Sequence, residues 1–151
     1  MVVQYCFFLS IIGLRDYSVG ADTFAYAKYF VKLQDTALVY KLQYNRFEPL
    51  FVFLVHISDF LDLNTFGVVF TIGYLILAYA CVRHLNAASA FLFILVLFSS
   101  FFYFNLAINP MRQYIAISFI IVFFAAKKGS KLLLVLAVLS HYSAIFVVFA
   151  L

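Results

Sequence analysis

Asn109-Pro110-Met111-Arg112-Gln113 stands between two long apolar runs, residues 90–104 and 114–126. Asn109 suits an N-cap. Pro110, with φ already fixed near the helical value, suits the first helical position. Arg112 then falls in the first turn, where the partial positive charge of the helix end opposes a cation. It also stands at the mouth of a segment apolar enough to span a membrane, where lipid opposes it as well. A cation kept against both suggests an anion to bind. Backbone N–H groups beside a guanidinium suit a phosphate or diphosphate. The competing reading is an arginine whose stem lies along apolar surface while its head reaches the interface. These five residues leave both readings open.

Of the 151 residues, 68% are hydrophobic and the mean hydropathy is +1.11. Charged residues make up 11%, against about 25% in soluble proteins. The expected fold is therefore all-α: a polytopic transmembrane helical bundle, with the lipid bilayer as its first partner. Trp is absent while Phe and Tyr number 21 and 11, so Tyr and Phe must supply the interfacial aromatics. The formal net charge of +4 is concentrated in loops. It speaks to topology, and no nucleic-acid partner is expected. Cys6 and Cys81 lie in apolar runs and read as buried thiols rather than a disulfide. The sequence holds no phosphate-cradling Gly-rich loop, no serine nucleophile elbow and no metal-ligand spacing. No cofactor and no metal are expected.

Residues 2–14 read as the end of a transmembrane helix, too short to cross ~30 Å of hydrocarbon. The chain also stops inside an apolar run, at Leu151. A piece of a longer membrane protein, cut within a helix at both ends, is the expectation. Residues 15–63 form a polar loop. Within it, residues 23–33 read as an amphipathic surface helix with Asp22 at its N-cap. Lys28, Lys32 and Asp35 fall on one face of it, and Phe24, Ala27 and Val31 on another. Glu48-Pro49 opens a second helix to about Leu61. With Glu48, His56, Ser58 and Asp59, it is too polar to face lipid throughout, and it reads as interfacial or re-entrant. Continuous spans are expected at 65–83, 89–105, 111–126 and 131–151, in one domain covering 1–151. Positive charge places Arg83, Lys127, Lys128 and Lys131 in the cytoplasm and Arg112 at the extracytoplasmic mouth. Residue physics leaves the side of the 15–46 stretch open, because it depends on whether the Glu48 helix crosses.

His141 is the second candidate functional residue, since it lies midway along the last apolar run. It stands ten residues beyond Lys131, and Arg112 fifteen before Lys127. In an antiparallel hairpin these are ~15 and ~22 Å of helix, so their depths differ by only ~7 Å. A substrate a few ångströms long could touch both. The competing reading is a neutral histidine hydrogen-bonded to a neighbouring helix. Asp22 is an N-cap or a catalytic carboxylate, and Glu48 a helix start or a catalytic carboxylate. Arg15 and Asp16 could form a weak interfacial ion pair. His56 and His84 read as bystanders.

Four short blocks together resemble a known family. Gly13-Leu14-Arg15, then Val19-Gly20-Ala21-Asp22-Thr23, then Tyr26 and Phe30, is similar to the first block of the EpsG family. Glu48-Pro49-Leu50-Phe51 resembles the second. Asn109 through Gln113, followed by Ile115-Ala116, resembles the third, an Asn-x-x-Arg-Gln core. His141-Tyr142-Ser143-Ala144 resembles the fourth. Each block is weak alone; their order over nearly the whole chain makes the resemblance specific. It implies a Wzy-type polymerase of exopolysaccharide or O-antigen synthesis, multi-pass in the bacterial inner membrane. Such an enzyme joins undecaprenyl-diphosphate-linked repeat units at the outer face, and a flippase and a chain-length regulator of the same pathway are its implied partners. The layout also resembles GT-C glycosyltransferases, which have an external loop with an Asp, surface helices and a Pro-containing segment. That favours a non-crossing Glu48 helix. Family members are typically more than twice this length, so the resemblance implies missing helices and a piece inactive by itself.

Under this resemblance Arg112 stabilises the leaving diphosphate, with Arg15 as a second clamp. His141, then Asp22 or Glu48, positions or deprotonates the acceptor hydroxyl. Gln113 and Asn109 orient sugar or phosphate oxygens. Two alternatives stay open: a ligase moving a finished polymer, and part of a transporter with Arg112 and His141 lining the path.

Overall fold

The computed structural model describes residues 1–16, 18–20, 22–33, 37–43, 47–125 and 130–150. Among them every regular element is helical and no strand occurs. Helix α1 (Val2–Phe8) runs into a π-helical stretch, Leu9–Gly13. Then come α2 (Thr23–Leu33), α3 (Leu38–Gln43), α4 (Pro49–Phe60), α5 (Thr65–His84), α6 (Ala87–Ser99) and α7 (Phe101–Ile108). The chain closes with α8 (Met111–Ala125), α9 (Lys131–Ser140), a 3-10 turn over Tyr142–Ala144, and α10 (Ile145–Phe149). Among the described residues, α5 alone is long and apolar enough to cross a membrane, or two stretches are if α6 and α7 count as one.

Capping side chains set several boundaries. Asn64 opens α5 by accepting the Gly67 N–H at 3.0 Å, and Asn86 opens α6 by accepting that of Ser89 at 2.9 Å. Arg83 and His84 occupy the last turn of α5, where the helix dipole favours cations. The core is an aromatic stack joining α5 to α8. Tyr114 of α8 lies over Phe70 with ring centroids 6.2 Å apart and donates to the Phe70 carbonyl at 3.1 Å. Gly73 makes the approach possible, because a Cβ there would lie 2.3 Å from the Tyr114 ring.

Two expected continuous spans are broken. Residues 89–105 divide at Ser100 into α6 and α7, bent by 74°. Ser100 is extended (φ −69°, ψ 129°), and its hydroxyl accepts the Tyr103 N–H at 3.3 Å, so it starts a new helix. Residues 131–151 divide at His141, which is extended (φ −161°, ψ 121°). Asn109 is not the N-cap of α8. It closes α7, its amide donates to Asn105 Oδ1 at 2.5 Å, and its own Oδ1 is buried without a partner. Helix α8 begins at Met111, where the expected span begins, with Pro110 just before it rather than as its first residue. Cys6 is exposed rather than buried, and both thiols are free. On α2 the buried side chains are Thr23 and Tyr26, while Phe24 and Val31 of the expected apolar face are exposed. The side chain of Lys32, and Asp35, Lys127 and Lys128, lie outside the described residues.

The path between α3 and α5 positions the site. Glu48, before α4, touches Arg112, and Phe66, at the start of α5, touches Arg15. Arg15 in turn bonds the Ile108 carbonyl, four residues before Arg112. The chain thus departs from and returns to one end of the bundle across α4.

Candidate active site

Pro49 forces the residue before it into an extended conformation, and Glu48 adopts φ −68°, ψ 145°. It occupies the N-cap position of α4 without a side-chain cap bond. Its carboxylate turns inward instead, and the residue is 2% exposed. Oε2 accepts from Arg112 Nη1 at 2.5 Å, and Oε1 accepts from His141 Nδ1 at 2.6 Å. The Tyr142 N–H adds a third bond to Oε1 at 3.3 Å. The break after α9 supplies both of these last donors, since within a continuous helix the Tyr142 N–H would serve a carbonyl four residues back.

The neighbours fix the imidazole tautomer. A carboxylate can only accept, so Nδ1 carries the proton. Nε2 of the neutral ring is then an acceptor, and the Gln113 amide donates to it at 3.1 Å. Arg112 donates from Nε to the Tyr26 hydroxyl at 3.3 Å, and its guanidinium lies 4.6 Å from the Phe47 ring centroid. Nη2 makes no hydrogen bond among the described residues and the side chain is 23% exposed. Burial pushes the Glu48 carboxyl upward. The bonds from Arg112, its own backbone and His141 outweigh that, so the net shift is below the ordinary carboxylate range. Burial raises the Tyr26 phenol, which stays neutral and available to Arg112.

A second cluster stands beside the first. Arg15 is buried; it bonds the Ile12 carbonyl through Nη1, and the Ile108 carbonyl through Nη2 at 2.6 Å. Nη2 also reaches Thr23 Oγ1 at 3.5 Å, and the guanidinium stacks 4.4 Å from the Phe66 ring centroid. Both carbonyls lie at helix C-termini, where a cation is favoured. Burial lowers the guanidinium to about 10. Asp16 is exposed and accepts the Ser18 N–H at 2.8 Å, while Arg15 turns inward. Gly20, at φ +100°, packs here: a Cβ would lie 2.7 Å from Asn109 Oδ1 and 2.7 Å from Thr23 Oγ1.

The expected site residues therefore separate into two groups. Arg112, Glu48, His141 and Gln113 form one hydrogen-bonded chain. Arg15 and Asn109 belong to the neighbouring cluster around Ile108 and Gly20. Asp22 is exposed at the start of α2, its carbonyl accepting the Tyr26 N–H at 3.0 Å. The anion that Arg112 meets here is the protein's own Glu48. The N–H groups of Met111, Gln113 and Tyr114 are taken by the carbonyls of Asn109 and Pro110, which leaves fewer donors for an anion than the sequence suggested. Sequence reasoning missed the roles of Tyr26 and Phe47. Their signal was an aromatic three residues after Thr23 and another directly before Glu48. Among the described residues no group of three or more His, Cys, Asp or Glu is placed to hold a metal.

Chemically, the arrangement is a carboxylate–imidazole pair with its basic nitrogen facing a displaceable amide, beside a guanidinium with one open edge. Such a pair can take a proton from a hydroxyl while the guanidinium faces developing negative charge. No curated protein and no solved structure matches the chain. A sequence model of the EpsG family matches residues 1–151, the full length. The chain belongs to the EpsG family, which is associated with exopolysaccharide biosynthesis and polysaccharide polymerisation.

Proposed function

We propose, with EpsG-family membership as the premise, that the protein polymerises undecaprenyl-diphosphate-linked oligosaccharide repeats at the outer face of the bacterial inner membrane. The observation that carries this reading is the buried Glu48 carboxylate held between Arg112 and His141. In the proposed reaction an acceptor sugar hydroxyl displaces the Gln113 amide from His141 Nε2. Its oxygen bonds the anomeric carbon of the donor glycan, whose bond to the diphosphate oxygen breaks. The hydroxyl proton passes to Nε2, and the resulting imidazolium is stabilised through Nδ1 by Glu48. Undecaprenyl diphosphate leaves with the bonding electron pair, and the open edge of Arg112 faces its charge. General-base assistance of this kind contributes roughly 10²–10⁴-fold in rate.

Under the same proposal α4 is the non-crossing helix of a GT-C-like external loop, supported by the return of the chain to one end of the bundle. The Arg15 cluster holds that loop on the α7–α8 junction. A transporter is the second reading. The helix breaks at Ser100 and His141 favour it, because interrupted helices line solute paths.

The test uses the intact gene in a strain deleted for it. Arg112→Lys and His141→Ala should each collapse the surface-glycan ladder to single repeats at unchanged protein level. A full ladder from both variants removes this site from the chemistry. Loss of repeat units from the outer face, with no accumulation of single repeats, favours transport.

A further inference from the structure

The end of the bundle opposite Glu48 holds a trough of about 800 Å³ between α5, α8 and α9, a size usual for small-molecule sites. Its floor is Ala80, Phe119 and Val122, all nearly buried, and Leu75 and Leu133 form its walls. The trough is apolar along its length and polar at one end only. Arg83, His84 and Ser130 gather there, and no carboxylate is among the described lining residues.

Each of these groups offers a donor or positive charge. Arg83 is drawn back along its own helix, Nη1 donating to the Tyr79 hydroxyl at 3.1 Å, and Tyr79 also lines the trough. Ser130 precedes α9, its hydroxyl accepting the Leu132 N–H at 3.3 Å and its carbonyl the Leu133 N–H at 2.8 Å. An occupant must therefore combine a single negative group with a long apolar body. A soluble anion would leave the floor uncovered, and a neutral lipid would leave the Arg83 guanidinium unanswered.

We propose that this trough binds an anionic glycerophospholipid, its phosphodiester on Arg83 and His84 beside Ser130 and an acyl chain along Phe119 and Val122. Basic pockets between helices at the cytoplasmic end are suited to acidic headgroups. The site lies at the far end of the α8–α9 pair, which carries Arg112, Gln113 and His141 at its other end. The site is independent of the transfer chemistry, since none of its residues contacts Glu48, Arg112 or His141.

Native mass spectrometry of the purified chain in a neutral detergent tests it. Phosphatidylglycerol and phosphatidylcholine with identical acyl chains are supplied in equal amounts. At least tenfold preferential retention of phosphatidylglycerol is expected. The Arg83→Ala/His84→Ala variant should bring it down to the phosphatidylcholine level. Leu133→Trp, which fills the trough and leaves Arg83 and His84 in place, should abolish retention of both. Equal retention of the two lipids by the wild type overturns the proposal. So does phosphatidylglycerol retention that Leu133→Trp leaves unchanged, a criterion that holds even if the double variant does not fold. Displacement of the lipid by millimolar inorganic phosphate would also overturn it, because the headgroup alone would then account for binding.

Discussion

Replacing Glu48 with Gln keeps the shape of the side chain and removes its charge, so it isolates what the carboxylate does. In the native cluster one side chain, 3% exposed, accepts two short bonds from Arg112 and His141. Breaking a fully buried pair costs about 3–5 kcal/mol. Arg112 and His141 retain 23% and 17% exposure, and solvent recovers part of that loss. A destabilisation of roughly 2–3 kcal/mol is therefore expected. The amide can accept on one side only, so it must present N–H₂ to Arg112 or to His141. If it faces His141, the imidazole must switch tautomer and Nε2 becomes a donor. Denaturant unfolding in detergent should be measured for Glu48→Gln, His141→Ala and the pair. The structure predicts a coupling of at least ~1 kcal/mol, because the two residues share one bond. Strict additivity, or a Glu48→Gln protein as stable as wild type, would show that the carboxylate does not hold the two side chains together.

Three other predictions test separate links. The Glu48 carboxyl is depressed in the folded state, so its stabilisation is complete above the ordinary value of 4.5 and lost as pH falls through the lower native value. The stability gap between wild type and Glu48→Gln should accordingly close in acid, as read from thermal unfolding at several pH values. Arg15→Met should cost about 2–4 kcal/mol, because the Ile12 and Ile108 carbonyls lose a charged donor; denaturant unfolding measures it. Gly20→Ala should cost about 1–3 kcal/mol through strain at φ +100° and contact with Asn109 and Thr23, checked by the same unfolding assay.

The helices that were legible in the sequence had local signals. Helix α2 begins after Asp22, and α4 begins at Pro49, as turn and N1 chemistry require. Helix α5, ending at Arg83 and His84, stands out from its hydropathy and its basic end. Breaks inside apolar runs were not legible, because hydropathy averages over them. Ser100 carried a signal, since serine favours caps over helix interiors. His141 carried none, as its extended backbone is supported by Glu48, 93 residues away in sequence. The same distance hid the site's central pairing. Glu48, Arg112 and His141 could each be singled out for polarity in apolar surroundings, but a lone residue does not disclose its partner. Asn109 was misread for a related reason: its side chain serves Asn105 and the α7 end rather than the helix that follows.

The most direct test is turnover by the purified product of the intact gene, supplied with a single defined undecaprenyl-diphosphate-linked repeat unit. Glycan dimers and longer products are expected, with one undecaprenyl diphosphate released per linkage formed. His141→Ala and Arg112→Ala should each lose at least a hundredfold in rate, within the range of general-base and electrostatic contributions. Elongation at the wild-type rate by both variants would contradict the proposed mechanism, because the chemistry would then lie outside the Glu48–Arg112–His141 cluster.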